Sequence, residues 1–326
     1  MADEARRTGR GERGGTGSRT SQEDREARAQ DRSREAQRHT ADMARRYATE
    51  IERSSREVRL FAGTPEVPEG AERLVPTVRV VAQDTVTAVL ELGRGRADLC
   101  DLAVLDFASF TRPGGSYEHG AMAQEQALCA ESFLYNVLQG QGGWYAENRR
   151  RLLNCNLYRN RALVVPKVRF EREGYHSYAD VIVAAAPNAR RARSEYHVGE
   201  EDLLDALRSR VAFVLAVADA LGRPKLVLGA FGCGVFGWDP DVVAETFRAE
   251  LAGGTHTVRE VVFAVPQSRF TDNHLRFEHA FATFPERNEA PLAPEVPAPA
   301  ADVAGPTDPD AAGDDADDED DWHKYL

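Results

Sequence analysis

The sequence predicts an α/β fold, a mainly parallel mixed sheet covered by helices on both faces in three layers. Three observations carry this reading. Short, largely apolar segments recur at Leu102–Phe107, Asp180–Ala186, Lys225–Leu228 and Arg259–Val265, as expected of strands buried on both faces. Helical stretches with apolar residues at three- and four-residue spacing lie among them; the longest, Glu200–Leu221, presents Leu203, Leu204, Leu207, Val211, Val214, Leu215 and Ala218 on one side. Glycine, proline, asparagine and aspartate punctuate the transitions, and strands separated by helices form crossover units.

In chain order, Met1 to about Ser21 is rich in Arg, Gly, Ser and Thr and is expected to be disordered. Gln22–Leu60 is charged and alanine-rich and reads as one or two solvated helices, with Met43, Tyr47, Ile51, Val58 and Leu60 spaced to dock on a domain. Interleaved Glu and Asp argue against a basic arm for nucleic acid. Thr77–Ala82 reads as a strand, and Asp84 caps a helix running to about Leu92. Leu102–Ser109 is a buried strand, followed from about Met122 by a helix that buries Leu128, Phe133, Leu134, Val137 and Leu138. Trp144–Asn154 is helical, and its Arg149-Arg150-Arg151 run reads as a solvated face. Pro166 makes Ala162–Phe170 a bent or edge strand. Asp239-Pro240 starts a helix, Arg259–Val265 is a strand, and a last helix spans about Asn273–Phe284. Beyond Pro285 the chain turns to Pro, Ala and Asp and ends DDADDEDDWHKYL, a tail expected to be disordered whose aromatic end is a candidate docking motif for a protein partner. The organisation is therefore an arm (1–21), a helical extension (22–70), one folded domain (71–285) and an acidic tail (286–326).

Composition narrows the function classes. A hydrophobic content of 42% supports a real core, and the formal net charge of -12 comes largely from the tail, so it says little about the folded surface and is only a weak argument against nucleic acid as a partner. Cys100, Cys129, Cys155 and Cys233 form no CxxC pair and have no metal-ligand spacing, so a reduced cytoplasmic setting without a structural metal is expected. The eight histidines are scattered. No apolar run is long enough to span a bilayer, so no membrane association is expected.

Two glycine loops carry the chemistry. The first leaves the Leu102–Ser109 strand through Pro113-Gly114-Gly115 and enters the next helix, whose first turn bears Gln124, Glu125 and Gln126. Backbone N–H groups at such a turn, with the positive end of a helix, favour an anion. The second, Lys225–Asp239 (KLVLGAFGCGVFGWD), opens a strand into Gly229, Gly232, Gly234 and Gly237. Ligands of open α/β sheets sit at the carboxyl ends of strands, so a diphosphate would fit between the loops. Neither loop has the Gly-Lys-Ser/Thr of a Walker loop or the GxGxxG dinucleotide fingerprint.

Taken together, PGGS, AQEQALCAES, RALVVPKVRF, DVIVAAAPN and LVLGAFGCGVFGWDP resemble the microbial-type poly(ADP-ribose) glycohydrolases, over roughly Gln22–Phe284. The resemblance implies a macrodomain-like fold, bound ADP-ribose or an ADP-ribosylated protein as partner, no cofactor, and hydrolysis of the ribose glycosidic linkage. It places Gly114, Gly115 and Ser116 against the distal ribose and phosphate, beside Gln124. Gly232, Cys233, Gly234, Val235, Phe236 and Gly237 fall around the diphosphate. Glu125 matches the glutamate that orients the distal ribose, and Gln126 stands where the family has its catalytic glutamate. Phe231, Phe236 and Trp238 are candidates to shape the pocket, and Ser116 replaces a third glycine. An amide hydrogen-bonds but does not exchange a proton near neutral pH. The chain is therefore expected to be a glycohydrolase with altered proton transfer, with Glu125, Glu118, Glu131 (which reads as solvent-facing on its helix) or His119 as substitute groups, or else a reader that holds ADP-ribose uncleaved. An adaptor acting through the tail is the third reading, which the retained loop glycines disfavour.

Overall fold

A computed structural model describes residues 16–67 and 70–292. The elements run α1 (Thr16–Arg46), α2 (Ala48–Arg56), β1 (Arg59–Ala62), β2 (Thr77–Val81), α3 (Thr85–Leu92), β3 (Leu102–Phe107), α4 (Gln124–Ala130), α5 (Leu134–Leu138) and α6 (Gly142–Arg151). They continue through β4 (Arg161–Arg172), β5 (Tyr175–Ala184), α7 (Ala189–Tyr196), α8 (Glu200–Leu221), β6 (Lys225–Leu228), α9 (Pro240–Ala252), β7 (Glu260–Ala264) and α10 (Asn273–Phe281).

The strands form one sheet in the order β1-β4-β5-β3-β6-β7-β2. From β5 to β2 all neighbours are parallel, and β4 and β1 add antiparallel pairs at the other edge. Alternation along β3 divides the core. Ala103 and Leu105 pack with α7–α10, whereas Leu102 and Val104 pack with α3–α6 and with Ala36 and Met43 of α1. This is the three-layer, mixed but mainly parallel arrangement expected from the apolar runs.

Several local expectations hold for their stated reasons. Asp84 accepts from the N–H of Thr87 at 3.0 Å to cap α3, and Asp239 accepts from that of Asp241 at 2.8 Å to cap α9, with Pro240 at the first position. Others are corrected. The helix expected from about Met122 is two: α4 ends at Ala130, and the Ser132 hydroxyl donates to Leu128 O at 2.6 Å while accepting from the N–H of Leu134 at 3.0 Å. A serine that satisfies backbone groups locally competes with the helical ladder. Strand β4 is not an edge strand, because β1 pairs outside it. Pro166 is accommodated instead by a bulge between Val165 and Val168, where Lys167 has φ 54° and its N–H donates to Asp180 Oδ1 at 2.9 Å. Leu60 does not dock; it lies on β1 and is 60% exposed.

The N-terminal helices are fastened to the sheet-bearing body. Arg32 Nε donates to Gly120 O at 2.6 Å, Ser33 Oγ to Glu118 O at 2.5 Å, and Asn136 Nδ2 to Thr40 O at 2.9 Å. Thr16–Ser21 belong to α1 rather than to a loose arm. The disorder expected before Thr16 and in the acidic tail lies outside the described residues. Among the described residues no helix is long and apolar enough to cross a membrane.

At the end of α8, buried His256 shares a hydrogen bond of 2.7 Å through Nδ1 with Asp219, which also accepts from the N–H and hydroxyl of Thr257. Burial disfavours the imidazolium, but Asp219 and Glu250 outweigh it, and the net effect raises the His256 pKa above 6.5. A raised histidine stabilises the fold fully below its unfolded pKa, and that contribution disappears as pH climbs through the higher folded value. Urea midpoints are therefore expected to fall as pH increases from about 6.5 upward, and His256→Asn is expected to flatten this slope.

Candidate functional site

Strands β3 and β6 are adjacent, and the chain leaves β3 for β4 and β5 on one side and β6 for β7 on the other. This is a switch point in strand order, where open α/β sheets hold ligands beyond their carboxyl edge. Both glycine loops leave the sheet there and wall one cavity of about 1340 Å³. Gly115, Ser116, Gln124, Glu125 and Gln126 border it from the first loop and α4, and Gly232, Gly234, Val235 and Phe236 from the second. Arg32, His39 and Met43 of α1 wall another side, as does the loop Pro266–Asn273 after β7.

The first loop is built around three consecutive side chains with different tasks. The Gln124 amide bridges the end of β3: Oε1 accepts from Phe107 N at 2.8 Å and Nε2 donates to Leu105 O at 2.9 Å. Glu125 is 3% exposed, and its Oε2 accepts from Ser109 N at 2.8 Å. Gln126 is 8% exposed, and its Nε2 donates to Gly114 O at 2.9 Å. The loop closes on these groups because its glycines allow it. Gly115 has φ 58°, and a Cβ there would lie 2.6 Å from Gln126 Nε2 and 3.0 Å from Glu125 Oε2. Gly114 lies behind the wall, tight against the Tyr135 ring, and Ser116 is buried.

In the second loop, Trp238 is structural. Its Nε1 donates to Pro187 O at 2.7 Å, and its ring lies against Gly232, where a Cβ would meet it at 2.8 Å. Cys233 and Gly237 also lie behind the wall: Cys233 N–H donates to Ala230 O at 3.1 Å and Gly237 N–H to Gly234 O at 3.0 Å. Among the described residues, the N–H groups of Gly234, Val235 and Phe236 have no acceptor, which leaves three successive donors on the cavity wall. Gly234 has open space where a Cβ would stand. Phe231 is buried against Phe107 with ring centroids 5.6 Å apart, and Phe236 packs edge-on to Tyr158, which stacks on Phe110 at 4.4 Å.

Apart from Glu125, the substitute proton carriers lie elsewhere. Glu131, expected to face solvent, is paired with Arg172, which also holds Asp84. Glu118 and His119 are exposed, and none of the three borders the cavity. The sequence reading missed Asp106, the lone acid in the run VLDF. It is fully buried on β3, and neither carboxylate oxygen has a hydrogen-bond partner among the described residues. It shares the face of Val104, against α4, and burial holds its carboxyl well above the usual carboxylate range. Cys129 and Tyr145 lie close to Asp106 and Glu125, and burial raises their pKa values too.

A neutral acid inside the fold gives a pH prediction of opposite form to a paired one. A buried carboxyl keeps its proton after the unfolded chain would lose it, so its contribution falls as pH rises from about 3.9 to its native value. Asp106→Asn is expected to be more stable than wild type to urea at pH 7, with the difference vanishing below about pH 4.

Comparison with known proteins follows this geometry. A family model for the microbial-type PARG catalytic domain matches residues 22–173. The structure of the poly(ADP-ribose) glycohydrolase of Thermomonospora curvata bound to the inhibitor ADP-HPD superposes with a TM-score of 0.65 at 31% identity, covering 77% of this chain and 100% of that one. The Deinococcus radiodurans enzyme in complex with ADP-ribose gives 0.62 at 30% identity, covering 72% of this chain and 98% of that one. No curated protein matches the chain.

Proposed function

We propose, from the premise that this chain belongs to the microbial-type poly(ADP-ribose) glycohydrolase family, that it binds ADP-ribose between its two glycine loops and hydrolyses the ribose glycosidic linkage of ADP-ribosylated substrates. One observation carries the reading: the loops emerge from neighbouring strands, and a buried glutamate at the start of α4 lines the cavity that they wall. The diphosphate takes the N–H groups of Gly234, Val235 and Phe236, which lack acceptors among the described residues. The distal ribose lies against Gly115 and Glu125, whose carboxylate is held in place by Ser109 N.

Hydrolysis breaks the bond from the anomeric carbon to the leaving oxygen, which needs a proton, while water adds to an oxocarbenium-like centre. Gln126 can hold a hydrogen bond at that point but cannot deliver the proton. Its amide is already committed to Gly114 O. Turnover is therefore slow, with Glu125 as the carboxylate beside the reacting centre. The same Gln126 contact favours a second reading, a module that retains ADP-ribose. A mass-spectrometric assay of ADP-ribose release from mono- and poly-ADP-ribosylated protein decides between them. Slow, enzyme-dependent release supports the hydrolase; tight binding without release supports the reader.

A further inference from the structure

Arg210, near the middle of α8, is 1% exposed, and every acceptor it has is neutral. Its Nε donates to Asn160 Oδ1 at 2.8 Å, Nη1 to Ala185 O, and Nη2 to Tyr158 O at 3.0 Å and Leu157 O at 3.4 Å. Among the described residues no carboxylate pairs with it. Neighbouring arginines differ in this respect: Arg161 has Glu147, Arg191 has Glu195 and Arg193 has Glu200. Burial lowers the Arg210 pKa to about 10, which still leaves the guanidinium charged near neutral pH. A buried charge with no opposite charge costs stability, and hydrogen bonds to carbonyl oxygens offset only part of that cost.

The place of this charge in the fold matters. Strand β5 ends at Ala184, so Ala185 lies at the carboxyl edge of the parallel strands, where the cavity opens. The next residue, Ala186, borders the cavity, and a Cβ at Gly232 would lie 2.9 Å from the Ala186 Cβ. Pro187 O accepts from Trp238 Nε1, which ties the same segment to the second loop. The guanidinium is thus held behind Ala186, against the loop that presents the N–H groups of Gly234, Val235 and Phe236. The wall in front of it has no charged side chain: Ala186 and the bordering residues of the second loop are alanine, glycine, valine and phenylalanine. In the low dielectric of an interior a charge reaches further than at a surface, and salt screens it little.

Resting on the ADP-ribose reading of the site, we propose that Arg210 is a buried counter-charge for the bound diphosphate. The two negative charges of the ligand supply the opposite charge that the protein itself does not place beside Arg210. Main-chain amides fix where the phosphates sit, and Arg210 sets the sign of charge that the second loop accepts. The site thereby favours a pyrophosphate over a neutral nucleoside by its field as well as by its hydrogen bonds.

The test titrates full-length protein calorimetrically with ADP-ribose and with adenosine, which has no phosphate. Arg210→Gln keeps an amide donor and removes the charge. It is expected to weaken ADP-ribose binding about tenfold and to leave adenosine binding within about twofold. Arg210→Lys carries a charge that can be removed, because burial lowers the pKa of a lysine. Its affinity for ADP-ribose is expected to fall between about pH 6 and 9 more steeply than that of wild type, with adenosine affinity flat. Thermal unfolding reports whether each variant folds; if Arg210→Gln does not, the lysine profile decides alone. An ADP-ribose affinity of Arg210→Gln equal to wild type overturns the proposal. So does an equal loss for both ligands, which would make Arg210 a positioning residue for the contact between Tyr158 and Phe236. A lysine profile parallel to that of wild type overturns it as well. Failure of wild type to bind free ADP-ribose overturns the underlying site reading instead.

Discussion

Gln126→Glu is expected to raise the rate of ADP-ribose release from poly(ADP-ribosyl)ated protein by about 10²–10⁴-fold, the usual worth of positioned acid–base catalysis. The argument starts from the contact that Gln126 makes. Its Nε2 donates to Gly114 O at 2.9 Å, and a carbonyl oxygen can only accept. A glutamate of the same length keeps that contact only while its carboxyl retains a proton, so the environment favours the acid form. The site is also 8% exposed, which penalises the carboxylate further. The variant thereby acquires a proton donor on the same turn as Glu125, in a pocket that already fits it. The pH–rate profile is expected to gain an alkaline limb that wild type lacks, because loss of that proton ends the acid's role. Equal rates for the two proteins at every pH would remove Gln126 from the reacting centre.

The second large effect comes from the other loop. Gly234→Glu is expected to weaken ADP-ribose binding by roughly a thousandfold while leaving the fold intact. The fold survives because a Cβ at Gly234 enters open space and its backbone is not in the left-handed region. Binding suffers because the new carboxylate stands on the wall where the diphosphate is placed. Two unit charges about 4 Å apart repel by about 4 kcal/mol near a protein surface, and each ~1.4 kcal/mol is a tenfold change. Calorimetric titration with ADP-ribose measures this directly, with thermal unfolding as the control. An unchanged affinity would move the diphosphate away from the second loop.

Much of this site was legible before the fold was. The strand–glycine–helix pattern placed both loops on one sheet edge, since parallel strands share an end. Capping signals at Asp84 and Asp239 fixed two helix starts because a side-chain oxygen there satisfies a local N–H. What stayed hidden depended on contacts between distant residues. Nothing near Pro166 announces that β1 pairs outside β4 and makes it an interior strand. Glu131 reads as solvent-facing until β4 supplies Arg172 forty-one residues later. Gln124 reads as a ligand contact, yet both ends of its amide join the β3 backbone. Asp106 had one local signal, an acid inside an otherwise apolar strand, which its burial on the α4 face now explains. Cys233, Gly237 and Trp238 belong to the loop motif by sequence but serve its packing, since a motif does not say which members face the ligand.

The central claim is that main-chain amides of the second loop hold a pyrophosphate, with Glu125 beside the first loop at the ribose end. The crystal structure of the ADP-ribose complex tests it most directly. The account predicts phosphate oxygens within hydrogen-bond distance, about 3 Å, of the Gly234, Val235 and Phe236 N–H groups, and the distal ribose hydroxyls on Glu125. A nucleotide bound away from the second loop, or with its ribose turned from α4, would contradict it.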